Sequence, residues 1–243
     1  MVCDCCCSSR ESVLYKVIYD SLRFLNDRAL RFFLWKAGLS NVPPHFIKFK
    51  IIKVYKGKFG LDTLVETGTY LGDTIAKARG CFKEIYSVEV DAVLFSKAKE
   101  KISCFKGIHI LRGDSAEVLP EIGAKLTAPA LFWLDAHYSG GITSGDAELS
   151  PIVKEVECIL KDNSFEHVLL IDNANMFTVE KGYLNIEFLK KFVHKYRPDW
   201  GIYSEDNIIR AHAKSKVNNW KGNKLINSLY NFYRRDEWRI RIS

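Results

Sequence analysis

Apolar residues return along this chain in two rhythms. Over residues 13–35 they recur at helical spacing, with Leu14, Val17, Ile18, Leu22, Leu25, Ala29, Phe32 and Phe33 set among Arg23, Asp27, Arg28 and Arg31. That pattern predicts an amphipathic helix or a kinked pair. It suits packing on the main domain or on a second subunit, and its basic and aromatic content permits peripheral contact with a membrane surface. Asn41-Val42-Pro43-Pro44 breaks the pattern as a linker. A helical pattern resumes over 46–55, and Gly57 and Gly60 are expected to stop it.

From residue 61 the rhythm changes. The run Leu61-Asp-Thr-Leu-Val-Glu-Thr-Gly-Thr-Tyr-Leu-Gly-Asp-Thr74 reads as a strand built on Leu64 and Val65 and closed by Glu66. A turn bracketed by Gly68 and Gly72 follows, and Asp73 and Thr74 open a helix. Further strands are predicted at 85–90, 108–112, 130–134 and 167–171, with helices at 74–80, 93–102, 116–122, 151–160 and 186–196. Strand-helix alternation of this kind implies right-handed crossovers and a parallel sheet covered on both faces. Two last strands, 201–204 and 208–211, are joined only by Glu205-Asp206-Asn207. Three residues cannot hold a crossover helix, so this pair is expected to be an antiparallel hairpin. Residues 221–233 read as a final amphipathic helix.

The expected fold is therefore α/β: a Rossmann-like, doubly wound, mostly parallel seven-stranded sheet with a terminal antiparallel hairpin, preceded by helices. Its expected divisions are a cysteine-rich tail (1–10), an N-terminal helical segment (11–60), a core (61–215) and a C-terminal helix with a basic tail (216–243).

Composition narrows the reading. A chain of 243 residues with 47% hydrophobic content can build one large domain or two small ones, which excludes global disorder. The net charge of +7 gathers in Lys48, Lys50, Lys53, Lys56 and Lys58, and in Arg234, Arg235, Arg239 and Arg241. Such clusters meet phosphate, anionic lipid or acidic glycans, or simply form a solvated helix face. No apolar run approaches the roughly 20 residues of a membrane span, and residues 1–10 lack the features of a secretion signal, so a cytoplasmic protein is expected. Of seven cysteines, Cys3, Cys5, Cys6 and Cys7 crowd the start, as a reactive tail, a soft-metal site or an acylation site would. Cys81, Cys104 and Cys158 are scattered as reduced core residues are.

In sheets of this class, ligands lie beyond the carboxyl ends of the strands. That rule selects Glu66 and Gly68, Glu89 and Asp91, Asp114 and Ser115, Asp135 and His137, and Asp172 and Asn173. Val65-Glu-Thr-Gly-Thr-Tyr-Leu-Gly72, an acid ending the second strand, Gly113-Asp-Ser115 after the third and the terminal hairpin together resemble the class I S-adenosylmethionine-dependent methyltransferases over residues 61–212. The resemblance implies that Glu66, Gly68, Thr69 and Gly72 run along the methionine part of the cofactor. It likewise implies that Glu89 accepts from the ribose hydroxyls and that Asp114 and Ser115 sit beside the adenine. A nicotinamide dinucleotide would use similar parts. Its first turn prefers Gly-x-Gly-x-x-Gly, however, whereas here the glycines are four apart with an acid two residues before the first. No tyrosine has a lysine four positions later, which makes hydride transfer the weaker enzyme reading.

The fourth and fifth strand ends, Leu134-Asp-Ala-His-Tyr138 and Ile171-Asp-Asn173, set three oxygen donors at strand tips. Such a set suits Mg²⁺, a hard ion with oxygen ligands, although strand-end acids also serve as helix caps. The arrangement is similar to that of metal-dependent O-methyltransferases of the catechol and sugar type. In that resemblance Asp135, Asp172 and Asn173 are the metal ligands, and the ion holds and acidifies an acceptor hydroxyl. Catechol-type enzymes carry a lysine three residues after the first metal aspartate, and this chain has Tyr138 there. His137 is then the nearest neutral-pH base, or else a structural histidine of the loop. The glycine-rich stretch 138–146 reads as a lid, and Ser150-Pro151 as a helix start. Base-modifying relatives carry two prolines at the fourth strand end; this chain lacks both, so no nucleic-acid substrate is expected. The expected activity is Mg²⁺-assisted O-methylation of a small hydroxylated acceptor, a sugar or glycan preferred. The alternative from another class is a methyltransferase-like fold used for docking on a membrane or an acidic partner.

Overall fold

The computed structural model describes residues 29–40, 42–102, 105–135, 151–162, 164–177 and 185–214. The cysteine tail, most of the first predicted helix, Cys104, His137, the predicted lid and the predicted C-terminal helix lie outside these residues.

A helical stretch over 29–36 leads through Pro43-Pro44 into α1 (His45–Phe59). Gly57 was expected to stop this helix, and the helix runs through it. Tyr55, at the predicted end, is buried and Phe59 beyond it packs on the same cluster, and that apolar face outweighs the roughly 1 kcal/mol that glycine costs a helix interior. Gly60 is the true stop, left-handed at φ 66°, with its N–H donating to the Lys56 carbonyl.

The core then alternates: β1 (Thr63–Thr67), α2 (Asp73–Ala78), β2 (Glu84–Glu89), α3 (Ala92–Ile102), β3 (Ile108–Arg112), α4 (Ser115–Gly123), β4 (Ala130–Asp135), α5 (Pro151–Lys161), β5 (Val168–Asp172), α6 (Ile186–Tyr196), β6 (Trp200–Glu205) and β7 (Ile208–Ala213). The seven strands lie in the order β3-β2-β1-β4-β5-β7-β6, with β7 antiparallel to β5 and β6 and the other pairs parallel. The hairpin turn is shorter than the three residues expected, because Glu205 belongs to β6. Asp206 and Asn207, both at positive φ, make the turn alone. Two-residue turns of that hand match the twist of paired strands.

Period-two alternation along the strands divides the core. Leu64, Ile85, Leu131, Trp133 and Leu170 face α1, α2 and α3, while Val65, Val88, Phe132, Leu134 and Leu169 face α4, α5 and α6. Each fully buried aliphatic side chain of this kind contributes about 1.5–3 kcal/mol. Because the chain leaves β3 for the far side of β1, the strand order reverses between β1 and β4. That is the switch point at which such sheets open a crevice. Two strand tips far apart in sequence thereby become neighbours. No helix among the described residues is long and apolar enough to cross a membrane.

Candidate active site

A cavity of about 640 Å³ opens at the carboxyl ends of β1 to β5. Glu66, Gly68, Glu89, Asp91, Asp114, Ser115, Asp135 and Asp172, predicted from separate strand ends, all line it, and so does Thr69. Asn173 adjoins it through Asp135. Gly72 is not in its wall and was expected there. It is left-handed at the N-cap of α2, and a Cβ on it would stand 2.6 Å from Ile102 Cδ1, so its role is the turn and the packing of α3.

The turn after β1 is held from β2. The N–H groups of Gly68 and Thr69 donate to the Val88 carbonyl at 3.0 and 3.1 Å. Thr69 Oγ1 meets Ser87 Oγ at 2.6 Å, and Ser87 donates to Glu66 Oε2 at 2.8 Å. Burial pushes the Glu66 carboxyl up to about 8, against the pull of its bonds to Ser87 and Thr74. Glu89 takes the Tyr70 N–H at 2.7 Å and the Asp91 N–H at 3.0 Å. It ties the two loops together, and a carboxylate with two such bonds still has acceptor sites for a diol.

Asp114 caps α4, accepting from the Ala116 N–H at 2.8 Å. The Ser115 hydroxyl donates to Glu155, which also takes Thr67 Oγ1 at 3.3 Å. Burial raises the Glu155 carboxyl to about 7. Sequence reading passed over Glu155. Its signal is an acid between Ile152 and Ile159 on the buried stripe of α5, where only apolar residues belong.

At the other end of the cavity, Asn173 Nδ2 donates to Asp135 Oδ1 at 3.0 Å and the Asn173 N–H donates to Asp172 Oδ1 at 2.9 Å. Asp172 Oδ2 takes the Lys48 ammonium at 2.5 Å. Burial raises the Asp172 carboxyl, and the Lys48 ammonium opposes that shift. Lys48 was read as one of a basic cluster, yet it lies on the face of α1 that carries Ile51, Ile52 and Tyr55 and is only 8% exposed. His45, one turn earlier, joins it in the cavity wall. Burial, then Lys48 and Lys77, hold its imidazole below the ordinary histidine range. The metal donors expected from sequence are thus already engaged. One carboxylate oxygen carries an ammonium, and the asparagine presents its amide N–H₂ to Asp135. This arrangement does not fit an octahedral ion as it stands. Among the described residues no group of three His, Cys, Asp or Glu side chains is placed to hold a metal ion. The scattered cysteines that the structure describes, Cys81 and Cys158, are unpaired and half-buried.

No protein-family model matches the sequence, and no curated relative does. Among solved structures, an O-methyltransferase from Bacillus cereus in complex with SAH aligns with 75% of this chain and 89% of its own, at 14% identity and a TM-score of 0.51. A protein described as a caffeoyl-CoA O-methyltransferase from Staphylococcus aureus aligns with 83% of this chain and 99% of its own, at 15% identity and a TM-score of 0.49. The Bacillus likeness, together with the strand order, establishes the class I methyltransferase fold.

Proposed function

We propose that this fold carries an S-adenosylmethionine-dependent O-methyltransferase acting on a small hydroxylated acceptor. The observation that supports it is the charge of the cavity. Asp73, Glu89, Asp91, Asp114, Asp135 and Asp172 line it against Lys48 and Lys77, with Glu66 and Glu155, whose protons burial retains, and the neutral His45 beside them. An acid-rich wall favours a cationic ligand and disfavours the pyrophosphate of a dinucleotide.

S-adenosylmethionine supplies an electrophilic methyl group on a sulfonium, and transfer to an acceptor oxygen leaves the neutral thioether. Glu66 and the loop of Gly68 and Thr69 hold the methionine end, Glu89 takes the ribose hydroxyls, and Asp114 and Ser115 flank the adenine. Asp135, beside that loop, orients the acceptor. His137, outside the described residues, takes the acceptor proton, and His45 is the neutral imidazole already in the wall. Trp133 and Phe49 add aromatic faces beside the carboxylates, a pairing that suits a sugar or glycan hydroxyl. Mg²⁺ on Asp135, Asp172 and Asn173, the finer expectation, does not fit this arrangement, because Asp172 is already paired with Lys48. Calorimetry tests the reading: SAH should bind with one-to-one stoichiometry, and a protein that binds neither SAH nor S-adenosylmethionine would refute it.

A further inference from the structure

The residues that a divalent ion would need are held together by a side chain from outside the strand ends. Lys48 and Asp172 are 124 positions apart and meet at 2.5 Å, both nearly removed from solvent. Lys48 is carried there by the packing of α1 on β4 and β5. Tyr55 on the same helix extends that anchorage to the hairpin, its hydroxyl lying 2.7 Å from that of Tyr203. The ammonium therefore sits on a rigid element that packing holds in place, unlike a surface lysine on a free stem.

An ammonium has three N–H donors. Among the described residues, Asp172 is the partner of one, and Lys48 lines the cavity that also holds Asp135. A fixed cation paired with one carboxylate, in a cavity that a second also lines, and with donors to spare, offers an acceptor oxygen what a Lewis-acidic ion would offer: positive charge and a set direction. The two cannot share the site. A divalent ion on Asp172 would stand against the ammonium in a buried setting, where like charges repel strongly.

We propose that Lys48 stands in place of the divalent ion, so that this site orients its acceptor through a built-in ammonium and binds no metal between Asp135 and Asp172. The orienting role rests on the methyl-transfer reading; the exclusion of the ion does not. Removing the ammonium should therefore uncover a dormant oxygen-ligand site.

The experiment is Mn²⁺ titration of the full chain by electron paramagnetic resonance, with SAH calorimetry on the same samples. The wild type should leave Mn²⁺ free at the level of Asp172→Asn. Lys48→Met should bind one equivalent about tenfold or more tighter, with a rise in melting temperature on adding Mn²⁺, and Lys48→Met/Asp172→Asn should lose both. Lys48→Gln replaces Lys48→Met if the latter fails to fold. The proposal is overturned by a wild-type ion that Asp172→Asn releases, or by lysine variants that gain none. Absence of SAH binding in the wild type would remove the methyl-transfer reading while leaving the ion result to stand on its own.

Discussion

A Cβ added to Gly68 would stand 3.4 Å from the Cβ of Asp135, so the loop after β1 and the tip of β4 lie side by side with space for no more than a methyl group between them. Gly68 also holds φ at 84°, a conformation that costs other residues roughly 1–2 kcal/mol. Gly68→Ala is expected to weaken SAH binding about tenfold or more and to lower the melting temperature, both measurable on purified protein. Gly72→Ala is expected to cost stability for a different reason, its contact with Ile102. Adding Ile102→Val, which removes the clashing Cδ1, should recover part of that loss but not the part due to φ.

The buried acid of β1 predicts how cofactor affinity depends on pH. With its carboxyl near 8, Glu66 is largely protonated at neutral pH, and a sulfonium beside it favours the ionised form. Binding then releases a proton. Affinity for S-adenosylmethionine should rise with pH up to about 8, by at most about tenfold per unit. SAH, which lacks the sulfonium, should show a shallower rise. Glu66→Gln should flatten both curves; equally steep profiles in that variant would remove Glu66 as the cause.

Stability without ligand should run the opposite way. Glu66 near 8 and Glu155 near 7 hold protons that the unfolded chain releases at the ordinary carboxylate value. The folded state binds more protons between those values, so its stability falls as pH climbs through the folded pKa values. Melting temperature is expected to decline from about pH 5 to about pH 8 and to level off above that. Glu155→Gln keeps an acceptor for Thr67 and Ser115 and should reduce the decline. Glu155→Ala strands both hydroxyls and should destabilise at every pH.

The Lys48–Asp172 pair is buried, so removing one partner leaves an unpaired charge. Lys48→Met and Asp172→Asn are each expected to cost about 3–5 kcal/mol in denaturant unfolding. The double substitution should cost clearly less than their sum, and additive losses would mean the two charges do not interact.

Much of this was legible in the amino-acid order. The strand at 108–112 and the helix at 186–196 have the bounds that periodicity gives them, and the strand-end rule gathered eight of the predicted site residues into one cavity. Lys48 and Glu155 were missed because one polar residue on an apolar stripe is a faint signal, and its meaning depends on a partner that local periodicity does not reveal. Lys48 makes sense only beside Asp172, and Glu155 only beside Thr67 and Ser115. The closeness of Gly68 to Asp135 was hidden likewise, since chain order counts β4 as distant and the sheet makes it adjacent to β1.

The helix before the sheet has a consequence for how such a protein diversifies. His45, Lys48, Phe49 and Ile52 wall one side of the cavity, while the turn of β1 and the tips of β2 and β3 form the other. Under the proposed function, acceptor preference draws on this helix together with the tips of β4 and β5, and donor recognition on β1 to β3. Exchanging residues 45–59 for another helix that keeps Lys48 and a matching apolar face would, under that same function, change the acceptor while leaving the methyl donor unchanged.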